Sequence, residues 1–216
     1  MQFFLDTANV EAIKKYASWG VINGITTNPT LIAKEGASLE KRIKEIARII
    51  KGPISVEVIS TELEGMLEEA RSYVTWAGNI YIKLPCSENG LKACYILSDE
   101  GINVNMTLVF SAAQALLAAK AGAKLISPFV GRLDDVGEDG MALIAELMDI
   151  YENYDLKAKI VVASIRHPRH VVDAARMGAH IATIPPDVME KLIKHPLTDK
   201  GIAQFLEDAK KIGVKK

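Results

Sequence analysis

Lys83 lies within an apolar run, IYIKLP at 80–85, and two carboxylates occupy comparable settings. Asp6 follows FFL, and Glu57 interrupts ISVEV at 54–58. A lysine confined in this way is a candidate nucleophile toward a carbonyl carbon, forming a Schiff base once its amine has lost a proton. Carboxylates within reach could accept and return protons as general acid and base. Two plainer alternatives stand beside this one. Lys83 could be a strand-end lysine whose stem snorkels to water, or the three groups could neutralise one another in an internal ion pair. Burial would lower the lysine pKa, whereas Asp6 and Glu57 would raise it.

Further polar residues recur at the ends of β-branched runs. Thr26 and Asn28, Asn105 and Thr107, and Ser127 with Phe129 close three of them. The threonines and asparagines suit a polyhydroxylated ligand, although each could equally satisfy nearby backbone. Arg132 lies just past one run, and Ser164-Ile165-Arg166-His167-Pro168 follows another. Arg166 offers a planar fork for phosphate oxygens, and Pro168 marks a helix start, where anions bind well. The alternative is that both arginines pair with Asp134, Asp135 or Asp139 on the surface.

These residues need a scaffold that turns them toward one place. Strand patterns fall at 3–6, 24–27, 54–58, 80–84, 102–107, 124–129, 160–164 and 180–184. Helical patterns follow at 10–18, 38–50, 61–76, 89–99, 111–121, 139–154, 169–177 and 187–193. Strict alternation implies a parallel sheet, and eight units predict an α/β fold, the (β/α)8 TIM barrel. An open doubly wound sheet is the alternative, but neither GxGxxG nor GxxxxGK[ST] is present. Glycines at 36, 52, 78, 101, 122 and 178 sit where helices should stop, Pro29, Pro168 and Pro186 where helices or loops should start, and Ser38 and Ser111 at N-caps. Side chains alternate across a strand, so if Ile80, Ile82 and Leu84 face the helices, Tyr81 and Lys83 face the axis. The same parity turns Asp6, Glu57, Asn105 and Thr107 inward. Strand eight offers little beyond Thr183.

Composition bounds the rest. The 216 residues are 49% hydrophobic and 25% charged with a net charge of −1, which argues against a general nucleic-acid or anionic-membrane surface. No apolar run approaches a membrane span, and the first residues lack the basic start of a signal peptide. Cys86 and Cys94 cannot build a disulfide framework, which fits a cytoplasmic protein. Cys86 is expected to act as a small hydrophobe, and Trp19 and Trp76 as core or boundary packing. No metal is expected: the four histidines show no ligand spacing, and His167 and His170 are assigned to the surface of a helix start. Asp134–Asp139 is assigned to a solvated loop. A single domain over 1–216 is expected, with an extra helix at about 199–212 that either caps its own barrel or contacts another subunit.

Six strings, in order along the chain, resemble the transaldolase family: FLDTAN at 4–9, GITTNPTLIAKEG at 24–36, IKLP at 82–85, NMTLVF at 105–110, ISPFVGRLDD at 126–135 and ASIRHP at 163–168. The resemblance is strongest to the short microbial subfamily that also holds fructose-6-phosphate aldolases. TTNPT and SPFVGR are its specific signatures. It implies a barrel, no cofactor, and a Schiff base on Lys83, with Asp6 as acid/base and Glu57 and Thr107 positioning a proton-shuttling water. It also implies that Asn28 and Asn105, with Ser127 nearby, hold a dihydroxyacetone unit, and that Arg132, Ser164 and Arg166 hold a sugar phosphate. The expected reaction transfers that unit from sedoheptulose 7-phosphate or fructose 6-phosphate to an aldose phosphate, a step of the pentose phosphate pathway. The aldolase branch carries glutamine where this chain has Glu57 and tyrosine where it has Phe129, so both residues are of the transaldolase type. The alternatives are an aldolase releasing free dihydroxyacetone and a non-catalytic sugar-phosphate-binding barrel. The resemblance further implies a homo-oligomer, a decamer of two pentameric rings with exchanged C-terminal helices.

Overall fold

Short β-branched runs pair edge to edge until the last meets the first. The computed structural model describes residues 1–212; residues 213–216 of the expected domain lie outside the described residues. The strands are β1 (Gln2–Asp6), β2 (Ile22–Thr26), β3 (Ile54–Glu57), β4 (Ile80–Pro85), β5 (Val104–Val109), β6 (Leu125–Pro128), β7 (Lys159–Val162) and β8 (Ile181–Ile184). All neighbours are parallel and β8 returns to β1, closing a (β/α)8 barrel. The helices between them are α1 (Val10–Ala17), α2 (Pro29–Lys34), α3 (Leu39–Ile49), α4 (Leu63–Tyr73), α5 (Glu88–Asp99), α6 (Ala112–Lys120), α7 (Val130–Asp135), α8 (Gly140–Tyr154), α9 (Pro168–Arg176), α10 (Pro186–Ile193) and α11 (Pro196–Lys211).

Parity separates two cores. The outward residues of the strands, among them Leu5, Ile82, Leu84 and Met106, are buried against Ile43, Ile46, Leu97, Ile144 and Leu147 of the helix layer. Inside the barrel, Phe4, Leu125, Val161 and Ile181 form a separate apolar cluster, with Tyr81 packed on it. This cluster floors the barrel toward the amino ends of the strands. The next inward residues along the same strands, Asp6, Lys83 and Thr183, are polar, so the upper half of the axis is left to chemistry.

Two short helices escaped the periodic pattern. The six residues of α2 are started by Pro29 and capped by Asn28, whose Oδ1 accepts from Leu31 N–H at 2.9 Å. Helix α7 is fastened by backbone: Val130 N–H donates to Ala163 O and Gly131 N–H to Ser164 O, each at 3.1 Å. Six residues are too few to show a helical period. The stretch 134–139 is exposed throughout, as expected of a solvated loop, but its first two residues end α7 and only 136–139 form the turn into α8. Asp134 belongs to α7 and accepts from Gly140 N–H at 3.0 Å, and Asp139 caps α8 through Met141 and Ala142. Strand β5 runs later than expected because it bulges between Met106 and Val109, with Leu108 at φ 56°.

The punctuation mostly holds. Gly36, Gly101, Gly122 and Gly178 adopt the positive φ of a helix end. Gly52 is required for a different reason, since a Cβ there would lie 1.7 Å from the Asn23 carbonyl oxygen. Gly78 has neither property. Ser111 caps α6 through Gln114 N–H, whereas the Ser38 side chain makes no capping bond. Helix α11 begins three residues before its expected start, on Pro196, because His195 supplies the cap. None of its residues is buried, so it is not a cap on its own barrel.

The apolar floor yields a stability prediction. Phe4→Ala should cost about 3–5 kcal/mol in chemical denaturation, the range for truncating a buried aromatic. A loss under about 1 kcal/mol would show that Phe4 does not plug the barrel.

Candidate active site

Register brings the ionisable residues together. Glu57 on β3 is the Cα partner of Lys83 on β4, and Lys83 is the partner of Asn105 on β5. Lys83 Nζ lies 2.9 Å from Glu57 Oε2 and donates to Thr27 O at 3.1 Å. The two side chains are only 5% and 16% exposed, so water screens this pair poorly. Lys83 is therefore not a snorkelling strand-end residue. Asp6 opens to the same cavity. Burial pushes its carboxyl above the usual carboxylate range, against the downward pull of Lys83 and of a hydrogen bond from Thr26, with Glu57 adding to the rise. Desolvation thus prevails over the attraction of Lys83.

Hydroxyls fix Asp6 from behind, and an amide joins polar residues of β3, β5 and β6. Thr26 Oγ1 donates to Asp6 Oδ1 at 2.7 Å, which leaves Thr183 to donate to Thr26 at 2.6 Å. Asn105 Nδ2 donates to Ser55 Oγ at 2.9 Å, and Ser127 Oγ donates to Asn105 Oδ1 at 2.7 Å. Asn105 and Thr107 are fully buried behind the cavity wall. The Thr107 hydroxyl makes no hydrogen bond to a protein group. Thr183 and Ser55 were not singled out as site residues. Inward parity with Ile181 and Glu57 was the signal for both.

A cavity of about 200 Å³ joins Asp6, Thr26, Asn28, Lys83, Ser127 and Phe129 to Arg132, Ser164 and Arg166. A second, of about 410 Å³, shares Asn28, Lys83, Phe129 and Arg132 with it and adds Glu57 and Leu108. At the outer end Arg166 Nη2 pairs with Asp135 Oδ2 at 2.8 Å, both half-exposed, so that pair is weak and exchangeable. Arg132 stacks 5.1 Å from the Phe129 ring and pairs with no carboxylate among the described residues. Gly131 lets the two arginine-bearing segments meet, since a Cβ there would lie 2.1 Å from Ser164 O and 2.7 Å from Arg166 Cγ. Ser164 itself sits at φ 59°, a left-handed conformation uncommon for serine.

Two assignments need correction or qualification. His170 is buried, not on the surface, with Nε2 3.0 Å from Asp134 Oδ2. Asn28 does double duty, since its oxygen is spent capping α2 and only its amide N–H groups remain for the cavity. Among the described residues no group of three or more His, Cys, Asp or Glu could hold a metal, and no helix is long and apolar enough to cross a membrane. Burial raises the Cys86 thiol pKa, so it holds little thiolate at neutral pH.

A closed parallel barrel with its polar residues gathered at the carboxyl ends of the strands is the architecture of a barrel enzyme, here one that holds an amine between carboxylates. The chain belongs to the transaldolase/fructose-6-phosphate aldolase family, whose sequence model matches residues 3–216. It is 58% identical over 208 residues to a probable transaldolase of Methanococcus maripaludis strain S2, covering 96% of this chain and 97% of that one. It is 56% identical over 212 residues to a probable transaldolase of Anaeromyxobacter sp. Fw109-5, covering 98% and 99%. The thiamine phosphate pyrophosphorylase of Pyrococcus furiosus superimposes with a TM-score of 0.60 at 13% identity, over 88% of this chain and 93% of that one, and shares the fold alone.

The raised Asp6 pKa has a definite sign in stability. The folded state holds the proton more tightly than the unfolded state, so stability is lost as pH rises through the folded-state value. Asp6→Asn keeps an acceptor for Thr26 and removes the desolvated charge. Its melting temperature should exceed the parent's at pH 7, with the gap closing toward pH 4. A lower melting temperature at pH 7 would show that the Lys83–Asp6 attraction outweighs desolvation.

Proposed function

We propose that this chain is a transaldolase, moving a three-carbon dihydroxyacetone unit from fructose 6-phosphate or sedoheptulose 7-phosphate to an aldose phosphate. The observation that carries this reading is the buried Lys83–Glu57 contact at 2.9 Å, with Asp6 opening to the same cavity. As an ion pair the amine is protonated and inert. Transfer of that proton to Glu57, directly or through a water held between Glu57 and Thr107, frees the lone pair of Lys83. The amine attacks the ketose carbonyl carbon, water leaves, and a protonated imine remains. Asp6 then takes the proton of the hydroxyl beyond the scissile bond, the carbon–carbon bond breaks, and its electron pair enters the imine. The aldose phosphate departs. The acceptor aldehyde meets the retained fragment, Asp6 returns its proton, and hydrolysis regenerates the lysine.

Asn28 and Ser127 suit the hydroxyls of the bound fragment, Asn105 holds Ser127 from behind, and Thr26 holds Asp6 in place. Arg132, Ser164 and Arg166 suit the phosphate at the outer end of the cavity. The choice between transfer and simple cleavage rests on Glu57 and Phe129, the residues of the transaldolase type. Phe129 presents a ring without a hydroxyl to the cavity, edge-on to Phe110 at 5.9 Å. No protein hydroxyl is thereby offered at that point to reprotonate the fragment and release it.

The chain is proposed to act in the cytoplasm as a homo-oligomer. Supporting the assembly, α11 exposes Leu197, Phe205 and Leu206 with nothing of its own barrel over them. The family resemblance adds a decamer of two pentameric rings.

Four outcomes test these readings. Glyceraldehyde 3-phosphate should form from fructose 6-phosphate only when erythrose 4-phosphate is present; equal formation without it would make the protein an aldolase. Borohydride with fructose 6-phosphate should attach carbon to Lys83, and Lys83→Met should abolish both adduct and turnover. Absence of an adduct in the parent would leave only a binding barrel. Asp6→Asn should lower turnover about 10²–10⁴-fold, the usual worth of a general acid–base. In sedimentation velocity, Phe205→Asp should release smaller species, and an unchanged profile would remove α11 from the interface.

A further inference from the structure

His170 is not part of the cavity, yet both of its ring nitrogens are committed. Nε2 lies 3.0 Å from Asp134 Oδ2 on α7, and Nδ1 accepts from the backbone N–H of Arg166 at 3.3 Å. One neutral tautomer satisfies both contacts, with the proton on Nε2. The ring is 5% exposed, so neither bond is exchanged freely with water. Asp134 is held in turn, its Oδ1 accepting from Gly140 N–H at 3.0 Å at the start of α8. The neighbouring Asp135 takes the Arg166 guanidinium. Arg166 is thus gripped at its backbone by His170 and at its side chain by the residue next to His170's own partner. It follows Ser164, whose left-handed backbone is held by Gly131 N–H donating to its carbonyl.

We propose that His170 is a positioning residue for the phosphate end of the substrate cavity: its Nδ1 anchors the Arg166 backbone, and Asp134 locks the tautomer that makes Nδ1 an acceptor. The inference rests on the assignment of Arg166 to substrate phosphate made above. His170 touches neither substrate nor the reacting atoms, so its effect belongs in binding and not in the chemical step.

Protonation would place a second N–H on Nδ1, against the Arg166 N–H. Burial and His167, whose ring centre is 3.8 Å away, hold the His170 pKa below the ordinary imidazole value. Asp134 and Asp173 oppose them. The anchor is therefore intact at neutral pH and is lost as pH falls through that lowered value.

Two substitutions separate the ring nitrogens. In His170→Gln the side-chain amide can still donate to Asp134 but the Nδ1 acceptor is gone. In His170→Asn the amide oxygen stands where Nδ1 was and the contact to Asp134 is lost. His170→Gln should raise KM for fructose 6-phosphate about 3–10-fold, the worth of one hydrogen bond, with kcat within about twofold. His170→Asn should keep KM closer to the parent. Arg166→Ala is measured alongside. If it raises KM and His170→Gln does not, the positioning role is wrong while the phosphate assignment stands. If Arg166→Ala leaves KM unchanged, the phosphate assignment fails and this inference with it. Should His170→Gln not fold, the acid side of the KM profile decides. The phosphate monoester's own ionisation near pH ~6 affects every variant alike. The parent should show an additional rise in KM toward low pH that His170→Asn lacks, and superimposable profiles would overturn the proposal.

Discussion

The structure depends on keeping a cation and two carboxylates out of water without letting them collapse into an inert cluster. Lys83 and Glu57 face each other across neighbouring strands, 2.9 Å apart and nearly excluded from solvent. Removing either partner would leave a charge stranded in a poorly screened interior, a severe penalty in any fold. Asp6 is held differently: hydrogen-bonded by Thr26, which is itself served by Thr183, and biased toward its protonated form by burial. Burial thus sets Asp6 apart from the Lys83–Glu57 pair, and differing environments are what let neighbouring carboxylates take different roles.

The barrel makes this arrangement tolerable through its layering. Phe4, Leu125, Val161 and Ile181 seal the axis from below, so that Lys83 and its partners look out only toward the cavity. Outward positions on the same strands bury an unbroken apolar surface against the helices. Stability is gathered in the floor and the helix layer, and the strand ends carry residues that a stability argument alone would not select.

Much of this was legible in the chain because both signals are local. Alternation of β-branched and amphipathic runs locates all eight units, and parity alone turns Lys83, Glu57 and Asp6 inward. The parts that stayed hidden depend on tertiary partners. Helices α2 and α7 are six residues long and are held by Asn28 and by the carbonyls of Ala163 and Ser164. His170 gave no sign of burial, since its partner Asp134 lies in a run that resembles any acidic loop. Thr183 was visible but looked unremarkable within an apolar strand, because its partner Thr26 comes from the far end of the sequence. Parity located side chains; it could not say which of them would spend their hydrogen bonds on one another. Asn105 illustrates this, being inward as expected but bonded to Ser55 and Ser127 behind the cavity wall.

The Arg166–Asp135 pair bears on residence time. The guanidinium already holds a carboxylate at 2.8 Å, half in water. An incoming oxyanion would therefore exchange with a tethered rival instead of filling an empty site. Exchange of this kind lowers net affinity by the value of the contact surrendered, and it speeds departure, since the displaced carboxylate stays close enough to recapture the arginine. In the transfer proposed above, where one phosphorylated aldehyde leaves and another enters while a fragment stays attached, a short-lived grip by Arg166 would favour turnover over tight storage.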